Sequence, residues 1–453
     1  MSDISYYSTN LNAEKVKFSQ ALLKGLAPDG GLYMPDMLPV ISKEDLLYYK
    51  NASYADIAFS VLNKFIDDEV ENEALKELTK DAYNFDVPLE KVYQNKYVMR
   101  LDQGPTASFK DFAARMMGRL MNYFLQKEGR NLLILTATSG DTGSAIANAF
   151  YGLNNIKVVV LYPEKEVTER QRKQMTTLQK NIQIIALEGK FDDCQAMVKN
   201  AFSDPELDVF NLSSANSINI GRLLPQSVYY IYAYARLCNA AEGEEIVFSV
   251  PSGNFGNLMG GLLAKHMGLP VKRFVVATNE NDEVPEYFKT GNYKTIVPSL
   301  NCISSAMNVG HPSNMARIVA LYGGQMNEKG NVLKQPDMDM LKKDMHAVSI
   351  DDADTKDLIK MIHDKHNVLL EPHGAVGWGG LRHYMHHEST GDEQVCVSLE
   401  TAHPAKFPAE IHEVLGIDPE LPESLKGLEN LEESFVPMDN NYEQFKLYLK
   451  ENY

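Results

Sequence analysis

The segment EEIVFSVPSGNFGNLMGGLLAKHM, residues 244–267, decides the fold class, because an apolar run leads through a glycine-rich loop into a helical pattern. A strand, a loop and a helix in this order form the repeating unit of an α/β protein. The loop lacks the G-x-x-x-x-G-K-[ST] spacing of a nucleotide P-loop and the G-x-G-x-x-G spacing of a dinucleotide fold. We therefore expect it to cradle the phosphate of another cofactor, with a ligand-free glycine turn as the alternative.

The rest of the chain extends this pattern after a mainly helical beginning. Within residues 1–95, helices are predicted at 43–50 and 71–83. Short apolar runs then alternate with amphipathic stretches, which favours a parallel sheet covered by helices. The predicted strands are 132–136, 157–162, 182–187, 245–250, 271–278, 368–370 and 395–399. Ligands of such sheets bind beyond the carboxyl ends of the strands, so the loops there are the candidate sites.

Composition and charge exclude several classes of protein. The chain has 453 residues, 44% of them hydrophobic and 23% charged, which is typical of an ordinary globular protein with two or three domains. Its net charge of −17 repels nucleic acid and anionic membrane surfaces. No signal peptide or membrane-spanning stretch is visible, so we expect a cytoplasmic protein. The cysteines are scattered, which predicts reduced thiols and no disulfide framework.

A second glycine-containing loop, SGDTGSA at residues 139–145, follows the apolar run NLLILTAT and enters the helical run SAIANAF. Backbone N–H groups at a helix N-terminus attract anions, and the two glycines let a ligand approach the main chain closely. An ordinary capped turn is the alternative, because Ser and Thr are common before a helix.

A third segment, GPTASFKDFAARMM at residues 104–117, places Lys110 at the start of a helix rich in Ala and Met. Desolvation in such surroundings would lower the pKa of the lysine and free its amine to condense with a carbonyl. A lone lysine is usually solvated. Together with a separate phosphate cradle, however, it is the arrangement that covalently held pyridoxal phosphate (PLP) requires.

These segments also carry a resemblance to a known family. GPTASFKD resembles the PLP-lysine motif of the tryptophan-synthase-like (fold type II) enzymes, and PSGNFGN resembles their phosphate loop. With APDGGLYMP, TSGDTGSA, NSINIGRLLPQ, EPHGAVG and ETAHPAKFP, in that order between residues 27 and 408, the chain resembles the threonine synthase family, in the subgroup with an extra N-terminal domain. Two departures are Arg100, where an acidic residue is common, and Glu371 in place of Asp in a DPH-type segment.

The resemblance implies a fold, a domain division and a set of cofactor contacts. The fold is two parallel-type sheets with covering helices, and the domains are an N-terminal domain at 1–95, a small α/β domain at 130–205 and a large PLP-binding domain at 96–129 and 206–453. A hydroxyl group at the pyridine nitrogen makes the ring a milder electron sink than a carboxylate would, which suits elimination and replacement. That hydroxyl is assigned to Thr401, with a helix cap as the alternative. The implied cofactor-binding residues are Lys110, Gly253, Asn254, Phe255, Gly256, Asn257 and Thr401.

The family's substrate, O-phosphohomoserine, carries a carboxylate and a phosphate, so two anion sites are expected beside the cofactor. The implied carboxylate loop contains Ser139, Asp141 and Thr142. The candidates for the leaving phosphate are Asn219, Arg222 and Lys406. An Arg fork and a Lys point charge both suit a phosphate dianion, with structural ion pairing as the alternative for each.

The implied reaction uses Lys110 as the base: it removes the Cα proton and shuttles a Cβ proton, phosphate leaves from Cγ, and water adds at Cβ to give threonine. The rival hypotheses are a related PLP-dependent phospho-lyase, a threonine or serine dehydratase that yields a 2-oxo acid, and a non-catalytic relative. The expected partner is this small-molecule substrate, with no nucleic acid or membrane, and the chain is expected to be a monomer or a homodimer.

His383, His386 and His387 form an H-x-x-H-H pattern on a predicted helix, a spacing that can present two nitrogens to a metal. No carboxylate or cysteine stands in a recognisable ligand frame beside them, so we expect a solvated helix face and no metal. Neither HEXXH nor G-x-S-x-G occurs, which leaves a hydrolase without support.

Overall fold

The computed structural model of the chain describes residues 4–66, 68–388 and 391–453, so residues 1–3 and 67 of the predicted N-terminal domain and residues 389 and 390 of the predicted large domain lie outside the described residues. The strands are β1 (Tyr6–Ser8), β2 (Tyr33–Pro35), β3 (Leu89–Tyr93), β4 (Lys96–Arg100), β5 (Leu132–Ala137), β6 (Ile156–Pro163), β7 (Ile182–Glu188), β8 (Leu212–Ser213), β9 (Ile246–Pro251), β10 (Val271–Thr278), β11 (Gln325–Met326), β12 (Val332–Lys334), β13 (Met345–Ser349), β14 (Val395–Glu400) and β15 (Val436–Asp439). The α-helices are α1 (Phe18–Lys24), α2 (Lys43–Tyr49), α3 (Tyr54–Ile66), α4 (Asn72–Ala82), α5 (Lys110–Glu128), α6 (Asp141–Phe150), α7 (Glu169–Thr176), α8 (Phe191–Phe202), α9 (Ile220–Leu223), α10 (Ser227–Leu237), α11 (Gly256–His266), α12 (Glu283–Thr290), α13 (Met315–Leu321), α14 (Met338–Asp344), α15 (Asp352–His366), α16 (Pro372–His387), α17 (Pro408–Leu415) and α18 (Tyr442–Asn452).

Two main sheets organise the fold. A six-stranded sheet has the order β13-β10-β9-β14-β4-β3, and a five-stranded sheet has the order β15-β7-β6-β5-β8. Every pair in both sheets is parallel except the pair of β3 with β4. The α/β fold class with covered parallel sheets is confirmed.

Burial on both faces explains why the predicted strands read as continuous apolar runs. All residues of β5, β9 and β14 are buried, and a strand covered by helices on both sides loses the alternation that marks a half-exposed strand. The predicted strands at 132–136, 157–162, 182–187, 245–250, 271–278 and 395–399 are therefore confirmed within about two residues at each end.

The predicted strand at 368–370 is wrong. Helix α15 ends at His366 and is capped by Asn367, whose φ of 54° is left-handed, and α16 is capped by Glu371, so the three residues form a short connection between two helices. Val368 and Leu370 are buried at 3% and 1% exposure. Their apolar character reflects burial beneath the two helices and does not indicate sheet pairing.

The N-terminal segment is mainly helical, as predicted, with α2 and α4 at the expected places. It also contains a small antiparallel ribbon in which β1 pairs with β2. Strand β2 is the YMP of the APDGGLYMP segment and is fully buried. The LYMP end of this segment is therefore part of the packed core.

The C-terminal residues return to the smaller sheet. Strand β15 pairs in parallel with β7, and Phe445 and Leu449 of α18 share a buried cluster with Cys194 and Met197 of α8. The domain boundaries stay a prediction, with the additional fact that β8 and β15 belong to the five-stranded sheet. Within the described ranges, no α-helix combines the length and hydrophobicity that a bilayer crossing needs.

Candidate active site

Three of the segments singled out by sequence leave one edge of the six-stranded sheet. Strands β9, β14 and β4 are parallel neighbours, so their carboxyl ends lie side by side. The loop after β4 leads to Lys110, the loop after β14 begins at Thr401, and the loop after β9 is the glycine loop, residues 252–255. The topology therefore brings the candidate lysine, hydroxyl and phosphate cradle to one place.

Backbone pairing joins the lysine loop to the Thr401 loop. The Phe109 N–H donates to the Thr401 carbonyl at 2.9 Å, and the His403 N–H donates to the Ala107 carbonyl at 3.0 Å. Ala107 has a φ of 52°, in the left-handed region that L-residues rarely adopt. This conformation persists because the pairing on both sides holds it.

Asp111 fixes the turn that precedes the lysine. Its buried carboxylate accepts hydrogen bonds from the Thr106 N–H at 2.8 Å and the Thr106 hydroxyl at 2.6 Å. Burial nevertheless raises the pKa of Asp111. Asp111, the residue after Lys110, thus holds the preceding loop by hydrogen bonds, and this fixes the backbone where α5 begins at Lys110.

Lys110 lies in a nearly closed environment, with 13% of its side chain exposed. Its Nζ is 3.7 Å from the Asp141 carboxylate and 5.0 Å from the centre of the Phe109 ring. Burial lowers the pKa of the Lys110 amine; the Asp141 charge acts against this, while the cations of Lys406 and Arg222 lower it further. The shift has the direction expected from the sequence, and it favours the neutral, nucleophilic amine.

Asp141 is shared by two lysines. The Nζ of the fully buried Lys406 lies 2.6 Å from Asp141 Oδ1 and donates to the Thr106 carbonyl at 3.0 Å. The side-chain amide of Gln171 donates to the same Oδ1 at 3.0 Å. Burial alone would raise the pKa of Asp141, but Lys406 and Lys110 hold it well below its usual range. Asp141 is therefore an ionised counter-charge between the two amines.

The glycine loop is closely covered. A Cβ on Gly253 would lie 2.9 Å from the Ala306 carbonyl oxygen and 3.0 Å from Met307 Cα, distances that side chains do not tolerate against backbone. Phe255 has a φ of 61°, and α11 begins at Gly256. The N–H groups in the first turn of a helix lack intrahelical acceptors, so this loop offers donors to an anion.

Arg317 ties the glycine loop to the N-terminal ribbon. Its guanidinium donates to the carbonyls of Tyr33 at 3.2 Å and Ile218 at 2.6 Å, and to the Asn314 side chain at 2.8 Å. Asn314 in turn donates to the Asn254 carbonyl at 2.9 Å. This explains how the YMP strand and the NSINIGR segment contribute: both are hydrogen-bonded, through one buried arginine, to the support of the loop.

A chain of buried polar contacts continues from the covering loop to Thr401. The Ala306 N–H donates to His373 Nε2 at 3.0 Å, which leaves the proton of the neutral ring on Nδ1, 2.5 Å from a Glu371 oxygen. The Thr401 hydroxyl donates to the other Glu371 oxygen at 3.4 Å. Since Thr401 also pairs with the residue before Lys110, consecutive contacts link the glycine loop to the candidate lysine.

Glu400 is a second buried carboxyl beside Glu371. Its Oε1 accepts from the Glu371 N–H at 2.7 Å, and among the described residues its Oε2 has no hydrogen-bond partner. Burial and the neighbouring Glu371 raise the pKa of Glu400 well above its usual range. Arg100, the departure from the family pattern, binds Asp102 with both Nη2 (2.7 Å) and Nε (3.3 Å) and so serves a structural ion pair.

The side-chain polar groups of Asn219 are all used in hydrogen bonds within the protein. Its amide N–H groups donate to the carbonyls of Leu22 at 2.9 Å and Ser214 at 3.0 Å, and its oxygen accepts from the Gly221 N–H at 2.9 Å. The side chain caps α9 and has no donor left for a substrate anion.

Arg222 follows in α9 and is buried, with Nη1 donating to the Ala215 carbonyl at 2.7 Å. Its Nε has no partner among the described residues. Burial lowers the pKa of Arg222 to about 10. A buried guanidinium with an unpaired donor, close enough to influence Lys110, is suited to receive an anion.

The remaining predicted residues differ in accessibility. Ser139 is exposed and Thr142 is half-buried, on either side of the start of α6. Asn257 is buried, with its side-chain oxygen accepting from the hydroxyls of Tyr229 and Tyr230 at 2.5 Å each. Its side-chain nitrogen has no partner among the described residues.

Several residues of the site carry no role in the sequence prediction. Gln171 lies 30 residues from its partner Asp141 and outside the quoted segments, so no local pattern marks it. Asp111, His373 and Glu400 stand inside the quoted segments, and Asp111 and Glu400 are direct chain neighbours of Lys110 and Thr401, a signal that could have been used.

Three family models match the chain: "Threonine synthase N terminus" at residues 5–83, "Pyridoxal-phosphate dependent enzyme" at 87–400 and "Threonine synthase, C-terminal" at 374–448. The threonine synthase of Haemophilus influenzae is 41% identical over 449 residues, which cover 98% of this chain and 99% of that protein.

Two solved structures are similar over almost the whole length. PLP-bound threonine synthase from Brucella melitensis superposes with a TM-score of 0.92 at 33% identity, covering 99% of both chains. Threonine synthase from Escherichia coli gives a TM-score of 0.87 at 36% identity, covering 99% of this chain and 100% of that one.

Proposed function

Since the chain belongs to the threonine synthase family of pyridoxal-phosphate-dependent enzymes, we propose that it converts O-phosphohomoserine and water into threonine and phosphate. It is a PLP-dependent lyase of threonine biosynthesis; the substrate and the role of each residue are the proposed part. The observation that carries the proposal is the meeting of Lys110, Thr401 and the glycine loop at the ends of adjacent parallel strands.

The residues at this edge fit the cofactor. A buried lysine with a lowered pKa, a closely covered glycine loop at a helix N-terminus and a buried hydroxyl provide one group each for its aldehyde, phosphate and ring nitrogen. When bound, PLP supplies an electron sink that allows bonds next to the substrate's amine to break. Gly253, Asn254, Phe255, Gly256 and Asn257 would hold its phosphate by their backbone and helix-start donors.

Thr401 would meet the ring nitrogen, and Glu371 positions it. The hydroxyl has one proton, and either the Glu371 oxygen 3.4 Å away or an unprotonated ring nitrogen would accept it, but not both. Glu371 is itself held by His373 and the backbone N–H of Gly374. The 3.4 Å contact is long, so Glu371 would hold the Thr401 side chain in place while its hydroxyl proton stays available to the ring nitrogen.

Two cations are assigned to the substrate's phosphate. Arg222 Nε has no hydrogen-bond partner in the part of the chain that the structure describes, and the Lys406 ammonium, with three donors, uses two of them on Asp141 and Thr106. Ser139 and Thr142, with the helix start between them, are assigned to the carboxylate. Asp141 is assigned as the counter-charge of the two lysines, and Asn219 is left out because its polar groups are already used.

Lys110 is assigned the proton transfers. Its free amine would take the proton from Cα and move one at Cβ, and its low exposure limits competition from bulk water. Asp141, 3.7 Å away, limits where the freed amine can move and so keeps it near both carbons.

Replacing Gly253 with alanine tests the cofactor cradle. Because the new Cβ would meet the backbone of residues 306 and 307, we expect the loop to shift and the affinity for PLP to fall at least roughly tenfold. A fluorescence titration of the stripped protein with PLP measures this. Gly391→Ala, at a glycine with open space around it, is the matched control and is expected to bind PLP normally. Equal affinities for the two variants would contradict the cradle.

Replacing Arg222 with glutamine tests the phosphate site. We expect KM for O-phosphohomoserine to rise at least roughly tenfold, because a charge-assisted contact to the phosphate is lost, while PLP affinity is unchanged. Steady-state kinetics and the same PLP titration separate the two effects. Arg222→Lys keeps the charge and is expected to recover part of the loss. A fall in PLP affinity with unchanged KM would assign Arg222 to the cofactor instead.

Product analysis tests the function as a whole. The PLP-loaded protein is incubated with O-phosphohomoserine, and phosphate, threonine and 2-oxo acid are measured together. Equal amounts of phosphate and threonine are expected. Phosphate with a 2-oxo acid would favour the phospho-lyase hypothesis, and no turnover despite bound PLP would favour a non-catalytic relative. The cytoplasmic location predicted from the sequence stays a prediction.

A further inference from the structure

We propose that His346, His383, His387 and Glu388 form a second site, on the surface of the six-stranded sheet, that binds a divalent first-row transition metal such as Zn²⁺. His383 and His387 stand four residues apart in α16 and so share one face of that helix. His346 comes from the edge strand β13. The sequence alone gives no reason to bring this third histidine to the pair, because it lies 37 residues from His383.

The three imidazoles are mutually close. The ring centre of His346 is 5.3 Å from that of His383 and 5.3 Å from that of His387, and the latter two are 6.3 Å apart. His346 Nε2 and His383 Nδ1 are separated by 3.1 Å. With metal–nitrogen bonds of about 2.0–2.1 Å, neighbouring ligand atoms of a tetrahedral site lie about 3.3 Å apart. This pair already has the separation of one edge of such a site.

A carboxylate completes the donor set. One ligand atom each from His346, His387 and Glu388 lies within 4.8 Å of the others, which leaves approaches of about 1.5 Å to reach tetrahedral spacing. His387 and Glu388 are exposed and can supply this movement by side-chain rotation. His383 joins this group through its 3.1 Å contact with His346 and has to turn toward the other two ligands as well. Three imidazoles and one carboxylate are ligands that Zn²⁺ accepts.

The neighbouring side chains leave the ligand atoms of the cluster available to a metal. The Arg273 guanidinium lies 3.2 Å from Glu388 Oε1, and a carboxylate has a second oxygen for a metal. The contact between His346 and His383 requires an unprotonated nitrogen on one ring, because an acceptor lone pair is needed. Lone pairs for a metal are therefore already present in the cluster. Tyr384 packs edge-on against the His346 ring and forms the inner wall.

The site would fasten β13 to the C-terminal end of α16. The candidate active site lies at the other end of this helix, where Glu371 is the cap, and 16 residues span about 24 Å at about 1.5 Å per residue. A metal here is thus too far away to contact the substrate. We expect it to raise thermal stability and to leave kcat unchanged.

The test is a titration of the chelator-treated, PLP-loaded protein with Zn²⁺ by calorimetry, beside the melting temperature with and without the metal. We expect one ion per chain and a rise in Tm. His387→Gln, at an exposed side chain, is expected to weaken binding at least roughly tenfold and to remove the rise in Tm. His386→Gln is the matched control, since it changes an exposed histidine of the same helix that is outside the cluster.

No saturable binding, or binding that is equally strong in His387→Gln and the native protein, would place any bound Zn²⁺ elsewhere, for example at the Glu280, Cys302 and Asp352 group. Equal losses in His387→Gln and His386→Gln would mean non-specific histidine binding. Unchanged metal-free activity of both variants serves as the check that they fold.

Discussion

Lys110→Ala is expected to abolish the formation of both threonine and phosphate, with a fall in turnover of roughly a thousandfold or more. Lys110 is the one group assigned both to hold the cofactor covalently and to move protons at Cα and Cβ. Its side chain is only 13% exposed and its pKa is lowered, and the nearby Lys406 amine is already paired with Asp141 and so is not available to replace it. Steady-state assays of both products measure the effect.

A second readout separates loss of chemistry from loss of folding. Borohydride reduction of the PLP-loaded native protein, followed by mass spectrometry, is expected to leave the cofactor on the peptide that contains Lys110, and Lys110→Ala is expected to retain none. Lys127→Ala, an exposed lysine on the same helix, is the control and should keep full activity. Substantial turnover by Lys110→Ala with normal folding would remove the lysine from its assigned role.

Asp141→Asn is expected to lower the free energy of unfolding by about 3–5 kcal/mol, because it leaves the fully buried Lys406 ammonium without its counter-charge. Lys110 loses its carboxylate partner at the same time. Urea unfolding monitored by circular dichroism, with the same m-value for both proteins, measures the change. Asp357→Asn, on the exposed surface of α15, is the control and should change stability by less than about 0.5 kcal/mol.

Because of the same ion pair, we expect the free energy of unfolding to depend on pH in the acidic range. The pKa of Asp141 is lower in the folded protein than its ordinary value of 3.8, so the unfolded chain binds its proton first as the pH falls. The stabilisation is therefore complete above about pH 5 and is lost progressively below it as the pH approaches the folded pKa. The native protein should lose stability progressively as the pH falls below about 5, and Asp141→Asn should show a shallower loss over the same pH range. The same dependence of stability on pH in the native protein and in Asp141→Asn would contradict the role of Asp141 as an ionised counter-charge.

Local patterns in the sequence predict much of the fold and the centre of the site. Buried strands such as β5 and β9 stand out as apolar runs because helices cover both of their faces. The lysine and the glycine loop stand out because their chemistry needs a short, specific run of residues. The error at residues 368–370 has the same origin, since burial between two helices produces the same apolar run as a strand.

What the sequence does not predict is the pairing of residues that are far apart. Helix α7 supplies Gln171 to Asp141, and Glu400 meets the cap of α16, although neither contact has a local signature. Asn219 is a residue that the sequence assigns to the substrate site and that the structure removes from it. Its residue type suits an anion, but only the structure places its partners, and they use every polar group it has.

The proposed reaction breaks the Cγ–O bond of O-phosphohomoserine and adds water at Cβ. The most direct test is to run the reaction in water labelled with heavy oxygen and to weigh both products by mass spectrometry. We expect threonine that carries the label in its hydroxyl group and phosphate that carries no label. Labelled phosphate released together with homoserine, or unlabelled phosphate released with a 2-oxo acid and no threonine, would contradict it.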